Sequence, residues 1–213
     1  MSAVSASSTP GPGWDAYVRA RPEASVYHLS GWSLLAQEVF GHRPFFLEAR
    51  DDDNRLCGVL PLVQQKSLLF GNFMTSMPFF NYGGALADDE QTIRQLMERA
   101  RALAMEQGCS YLELRDARPQ PGDWQVRTDK VSMVLDLPDD AALLSKQLGS
   151  KLRSQVKRAD RENPSVRTGG RELLGDFYEV FCRTMRDLGT PVYPRKFFEA
   201  LMARFPEECL LVV

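Results

Sequence analysis

The chain has 213 residues, 44% of them hydrophobic, and a formal charge of -2. That is enough apolar material for a real core, in one large domain or two small ones. The near-neutral balance excludes a protein whose whole surface serves nucleic acid and leaves only local basic patches as candidates.

Residues 1–13, MSAVSASSTPGPG, carry neither a basic n-region nor an apolar core, so they read as a disordered tail and not as a signal peptide or anchor. No later segment reaches the ~20 uninterrupted apolar residues of a spanning helix. Even the stretch LLFGNFMTSMPFF is broken by Asn72, Thr75 and Ser76. A cytoplasmic protein is expected, with peripheral membrane contact left open. Cys57, Cys109, Cys182 and Cys209 make no CxxC pair, and the only histidines are His28 and His42. Neither a zinc site nor a disulfide framework is expected, and the cysteines read as small core residues.

Order begins near Trp14 with a short helix over 15–20, ended by Arg21-Pro22. Ser30 is the expected N-cap of a helix over 31–40, closed by Gly41, with Trp32, Leu35, Ala36 and Val39 on its buried face. Strands over 45–50 and 56–63 flank the acidic turn Asp51-Asp52-Asp53-Asn54 as a hairpin. Residues 68–80 continue the sheet into the Gly-rich loop Asn81-Tyr82-Gly83-Gly84. A helix over 90–107 follows, with Ile93, Leu96, Met97, Ala100, Leu103 and Ala104 on one face and Gly108 as its stop. Strands over 111–115 and 131–137 enclose a loop or lid at 116–129. The first unit, 14–137, is then a mixed α/β domain with one central sheet.

The clearest helix signal follows, at 148–163. Leu148, Leu152, Val156 and Ala159 form an apolar stripe, and Lys151, Arg153, Lys157, Arg158 and Arg161 fan over the other side against two acids, Asp160 and Glu162. Such a face is either simply solvated or turned to phosphate, and Arg adds two-point hydrogen bonding to anions. A nucleotide-sugar pyrophosphate, a coenzyme A phosphate and an RNA backbone all fit the second reading. A short strand at 165–167, helices over 172–188 and 195–205, and an apolar run at 209–213 complete the chain.

Shifting the sequence by 165 residues lays Trp32 on Phe197, Ala36 on Leu201 and Phe40 on Phe205, with Phe45, Phe46 and Leu47 on Leu210, Leu211 and Val212. The segment 138–213 thus reads as the start of a second unit whose central sheet is missing, so the chain is expected to be cut short.

Val26-Tyr27-His28, Ser30-Gly31-Trp32, Phe40-Gly41-His42-Arg43-Pro44, Asn81-Tyr82-Gly83-Gly84 and the helix from Lys151 to Ala159 together resemble the FemAB-type acyltransferases. Residues 187–195, DLGTPVYPR, resemble the branch found with exosortase (PEP-CTERM) and exopolysaccharide loci. The resemblance implies an α/β fold of two tandem GNAT-like domains, a mixed sheet flanked by helices followed by an incomplete second unit. It also implies N-acyl transfer to an amine in bacterial envelope or exopolysaccharide assembly. The donor would be aminoacyl-tRNA or acyl-CoA, with no resident cofactor or metal, and the acceptor a small or nucleotide-linked molecule.

The same resemblance assigns Arg153 and Lys157 to phosphates, with their neighbours Lys151 and Arg158 expected to share the anion site, Asn81 and Tyr82 to the acceptor cleft, and Tyr193 and Arg195 to the second unit's contribution. Ala36 stands where some bridge-forming relatives place a lysine, which departs from a peptidoglycan-precursor site. Arg167-Thr168-Gly169-Gly170-Arg171 has the wrong spacing for the coenzyme A signature of ordinary acetyltransferases. No catalytic nucleophile is expected, since direct attack by a neutral amine needs none. The competing expectation is a binding module for a nucleotide-linked or RNA ligand that performs no chemistry.

Overall fold

A computed structural model of the protein describes residues 3–129 and 131–213. The chain divides between Gln125 and Val126 into two compact units. That division falls earlier than the expected 137, because 131–137 carries no regular structure and exposes Val131, Met133, Val134, Leu135 and Leu137.

The first unit opens with β1 (Ala3–Ser7), which corrects the expectation of a disordered tail. Its five residues alternate exposed and half-buried, as an edge strand should. Polar serines at every second position hid it in the sequence. β1 pairs antiparallel with β2 (Arg43–Arg50), Ala3 opposite Arg50 and Ser7 opposite Phe46. Helices α1 (Trp14–Arg19) and α2 (Ser30–Phe40) lie between them in sequence.

Ser30 is not the N-cap of α2. It is the first helical residue, and its backbone N–H and hydroxyl both donate to the Asp15 carboxylate, at 2.8 and 3.0 Å. A carboxylate from α1 thereby satisfies a donor that the helix itself cannot. Gly41 closes α2 in the left-handed region (φ 71°).

β2 continues through the turn at 51–54 into β3 (Leu56–Ser67), paired from Arg43 opposite Gln64 to Arg50 opposite Leu56, with an irregularity at Ala49/Arg50. β4 (Gly71–Thr75) pairs antiparallel with the end of β3. The two-residue β5 (Leu86–Ala87) returns to the beginning of β3. β6 (Leu112–Glu113) adds to β4 in parallel, so the six-stranded sheet is mixed.

Helix α3 (Glu90–Glu106) is capped by Asp89, whose carboxylate accepts the Thr92 N–H. It seals one sheet face by packing Leu96, Ala100, Leu103 and Ala104 on Phe45, Leu47, Leu60, Leu62 and Met74. On the opposite face Trp14 meets Phe46 edge-on at 5.1 Å, and its indole N–H donates to the His28 carbonyl. β2 is therefore buried on both faces from Pro44 to Ala49.

The second unit contains α4 (Ala141–Gln147), α5 (Ser150–Arg161), β7 (Thr168–Gly169), α6 (Leu174–Asp187), α7 (Arg195–Arg204) and β8 (Leu211–Val212). Phe198 receives Phe177 and Phe181 edge-on at 5.2 Å each, which ties α6 to α7. The expected strand at 165–167 lies slightly later, as β7, which pairs antiparallel with β8.

That ladder extends the internal repeat. α7 begins 165 residues after α2, and β7 and β8, moved back by the same amount, fall on β1 and β2. Both units therefore pair the strand before their helices with the strand after them. The registers differ between the two pairs.

Candidate functional site

The first unit's functional features gather on the loop 76–85. β3 is paired by β4 only from Val63 onward and by β5 only at Gly58 and Val59. In the intervening gap the chain leaves the sheet edge as this loop. Pro61, which has no N–H for a ladder, stands in that gap.

Residues from three separated motifs, together with Arg115, hold the loop. The Phe80 ring stacks on Tyr27 at 4.7 Å and meets Trp32 edge-on at 4.5 Å. Phe79 packs on Phe40 at 4.7 Å and stacks with His42 at 6.0 Å. Phe79 does so with a backbone φ of 73°, a conformation costly for an aromatic residue and found where surrounding contacts over-determine it. From the sheet, Arg115 donates to the carbonyls of Met77 (3.2 Å) and Phe80 (2.6 Å), and the Gly83 N–H donates to the Arg115 carbonyl.

Beneath the loop lies a cavity of about 520 Å³, lined in part by Ser25, His28, Tyr82, Glu90, Asp116 and Gln120. The Ser25 N–H donates to His28 Nδ1 at 3.0 Å, so the proton of the neutral ring sits on Nε2 and is donated to the Gly84 carbonyl at 3.2 Å. Burial holds the His28 pKa below its ordinary value, which keeps that tautomer neutral.

Asp116 follows β6 by a few residues. Its Oδ1 accepts from the Ala85 N–H (3.2 Å) and the Gln120 side-chain amide (2.8 Å). Oδ2 has no hydrogen bond among the described residues. Burial raises the Asp116 pKa against the opposing effect of those two bonds. A carboxylate with one uncommitted oxygen and a raised pKa is suited to hold an ammonium group or accept its proton.

Of the residues expected here, Tyr82 lines the cavity, half-buried, while Asn81 is exposed and outside the lining. His28, Asp116 and Gln120 were not anticipated as site residues. For Asp116 the available signal was position: a charged Arg-Asp pair ending an apolar strand, where α/β sheets commonly place functional groups. His28 was noted only as lacking metal-ligand spacing.

The other expected residues belong to the second unit. Lys151, Lys157 and Arg158 lie on the exposed surface of α5 and enter no ion pair among the described residues. Arg153 is used differently: its guanidinium turns back to the carbonyls of Leu148 and Lys146 at the end of α4. The apolar stripe of α5 is not covered, with Leu152 and Val156 both exposed. The Tyr193 carbonyl accepts the Tyr178 hydroxyl at 3.1 Å, its ring packs on Phe197, and Arg195 pairs with Glu199 at 3.0 Å. Among the described residues no group of His, Cys, Asp and Glu is arranged to hold a metal ion, and no helix is long and apolar enough to cross a membrane.

A mixed sheet flanked by helices, with β4 and β6 parallel beside the loop, defines a mixed α/β fold of GNAT-like type. Among solved structures, the chain is similar to the crystal structure of FemX, with a TM-score of 0.57 and 17% sequence identity, over 98% of this chain and 57% of that one. At that identity the likeness is one of fold, and the chain spans little more than half the length of FemX. No family model matches the sequence, and no curated protein matches it.

Proposed function

We propose that this chain forms part of an N-acyltransferase of the FemAB type, acting on an amine in bacterial envelope or exopolysaccharide assembly. The observation that carries the reading is the FemX-like fold along 98% of the chain. The cavity under 76–85 supplies the chemistry. The amine nitrogen attacks the carbonyl carbon of an ester or thioester donor, Asp116 Oδ2 takes the proton lost from nitrogen, and the C–O or C–S bond breaks. Asp116 then gives that proton to the departing oxygen or sulfur, so the alcohol or thiol leaves neutral and the carboxylate is restored. The Tyr82 hydroxyl is a donor for the developing oxyanion.

In this reading the donor is an aminoacyl-tRNA or an acyl-CoA and the acceptor a small or nucleotide-linked amine, met in the cytoplasm. Lys151, Lys157 and Arg158 are the candidates for donor or acceptor phosphates. The test is transfer of a labelled acyl group from each donor to a panel of amine-bearing nucleotide sugars. Transfer that falls at least tenfold in Asp116→Asn supports the reading. Transfer equal in Asp116→Asn and the parent chain overturns the role of the carboxylate, and no transfer from either donor overturns the activity.

A second reading, a module that binds a nucleotide-linked or RNA ligand without chemistry, is favoured by the exposed cations of α5 with no acidic partner among the described residues. Retained affinity for a nucleotide sugar without acyl transfer would select it.

A further inference from the structure

The turn between β3 and β4 carries three consecutive, highly exposed large apolar residues, among them Leu68, the most exposed of those described. Leu68, Leu69 and Phe70 are 107%, 87% and 78% exposed, and they are consecutive. Soluble surfaces carry scattered apolar residues, but a contiguous exposed group of large ones is characteristic of an interaction site. The tip is structurally defined. Ser67 pairs with Gly71 at the last rung of the ladder, Gly71 takes φ 80°, and the Leu69 N–H donates to the Ser67 hydroxyl at 3.2 Å.

What lies behind the tip decides which partner it fits. Lys66 is exposed one rung back, and Arg43, opposite Gln64, is exposed with its guanidinium over the Phe45 ring. Neither cation enters an ion pair among the described residues. The nearby acid Glu106, at the end of α3, is already paired with Arg99 at 2.8 Å. Tyr111, half-exposed and stacked on Phe73 at 4.9 Å, adds an amphipathic ring at about the same level.

A strand rises about 3.3 Å per residue, so Lys66 stands about 7 Å behind Leu68. That matches the ~5–10 Å to which apolar groups enter the headgroup and acyl boundary of a bilayer, with cations and Tyr left at the headgroups. The shape points the same way. Each tip side chain is exposed over more than three quarters of its surface, so no rim surrounds it to seal against a flat protein face. A fluid acyl layer needs no rim.

We infer that the β3–β4 tip, Leu68-Leu69-Phe70 backed by Lys66 and Arg43, is a docking point for a membrane surface containing anionic lipid. The inference does not depend on acyl transfer, and its test does not measure it. The 213-residue chain is sedimented with vesicles of phosphatidylcholine alone and with 30% phosphatidylglycerol, a composition on the order of anionic bacterial leaflets. The expected result is binding to the anionic vesicles, reduced at least tenfold in Leu68→Ser/Leu69→Ser/Phe70→Ser and severalfold in Lys66→Glu. An unchanged melting temperature in the triple variant would show that the loss is not unfolding, since these side chains support no core. The inference is overturned if the parent chain leaves both vesicle types in the supernatant, or if the triple variant sediments as the parent does. It is equally overturned if the tip is protected by a soluble protein while vesicles have no effect.

Discussion

Asp116 Oδ1 lies against the α-carbon of Gly84, so closely that a methyl group on residue 84 would stand 1.8 Å from it. The contact joins the end of β6 to the middle of the Gly-rich loop, and the Ala85 N–H completes it by donating to the same oxygen. Gly84 is required here by the nearness of a carboxylate. Gly84→Ala is expected to push the carboxylate off the Ala85 N–H and to cost about 1–3 kcal/mol of stability, as overpacking does. Urea unfolding measures it, and a cost near zero would mean that the loop and Asp116 are not in this contact.

His28 and Asp116 respond oppositely to pH. The folded pKa of His28 is held below its ordinary 6.5, so the unfolded chain binds the proton more readily. Its contribution is fully present above 6.5 and is lost as pH falls through the lower folded value. His42, depressed by burial between Phe40 and Phe79, acts in the same direction. Asp116, raised above 3.8, contributes its stability at pH below 3.8 and loses it as pH rises through the raised value. His28→Gln should therefore flatten the fall in melting temperature below pH 6.5, and Asp116→Asn should raise the melting temperature at neutral pH. A parent-like acid slope in His28→Gln would show that His28 titrates normally.

Helical periodicity carried most of what was legible in the sequence. α2, α3, α5, α6 and α7 all lie within a residue or two of their expected bounds, because apolar spacing, Gly stops and caps act locally. β1 was hidden because an edge strand of serines and small residues owes its existence to β2, more than thirty residues away. The apolar alternation of 131–137 resembles a strand, yet nothing among the described residues pairs with it. At the site, the motif residues Tyr27, His28, Trp32, Phe40 and Tyr82 were visible as separate signals. Their convergence on 76–85 depends on tertiary packing, and so does the partnering of Asp116 with a backbone N–H.

The N-terminal segment is structural. Glu48 is buried, pairs with Arg50 at 2.8 Å and accepts the Gly11 N–H at 2.6 Å. Removing residues 1–12 would delete β1 and take one partner from a buried carboxylate, and Glu48→Ala would leave the Gly11 N–H without its acceptor. Each change is expected to cost about 2–4 kcal/mol, read as a fall in the denaturant midpoint. A truncated chain that unfolds at the parent midpoint would mean that the segment is a disordered tail after all.

The four residues of α5 expected at phosphates separate into two kinds. Lys151, Lys157 and Arg158 are exposed and carry no ion pair among the described residues, so replacing all three by Glu should change stability by less than about 0.5 kcal/mol per site. Arg153 donates to two carbonyls at the end of α4, where the last turn of a helix leaves acceptors unsatisfied. Arg153→Ala should therefore cost about 1 kcal/mol through structure alone. If α5 faces phosphate, the triple Glu variant loses at least tenfold in affinity for inorganic pyrophosphate while melting with the parent, and the parent's affinity falls as salt rises. A triple variant that binds pyrophosphate as well as the parent does would make the face a solvated surface, and would leave the cavity beside Asp116 as the sole candidate site.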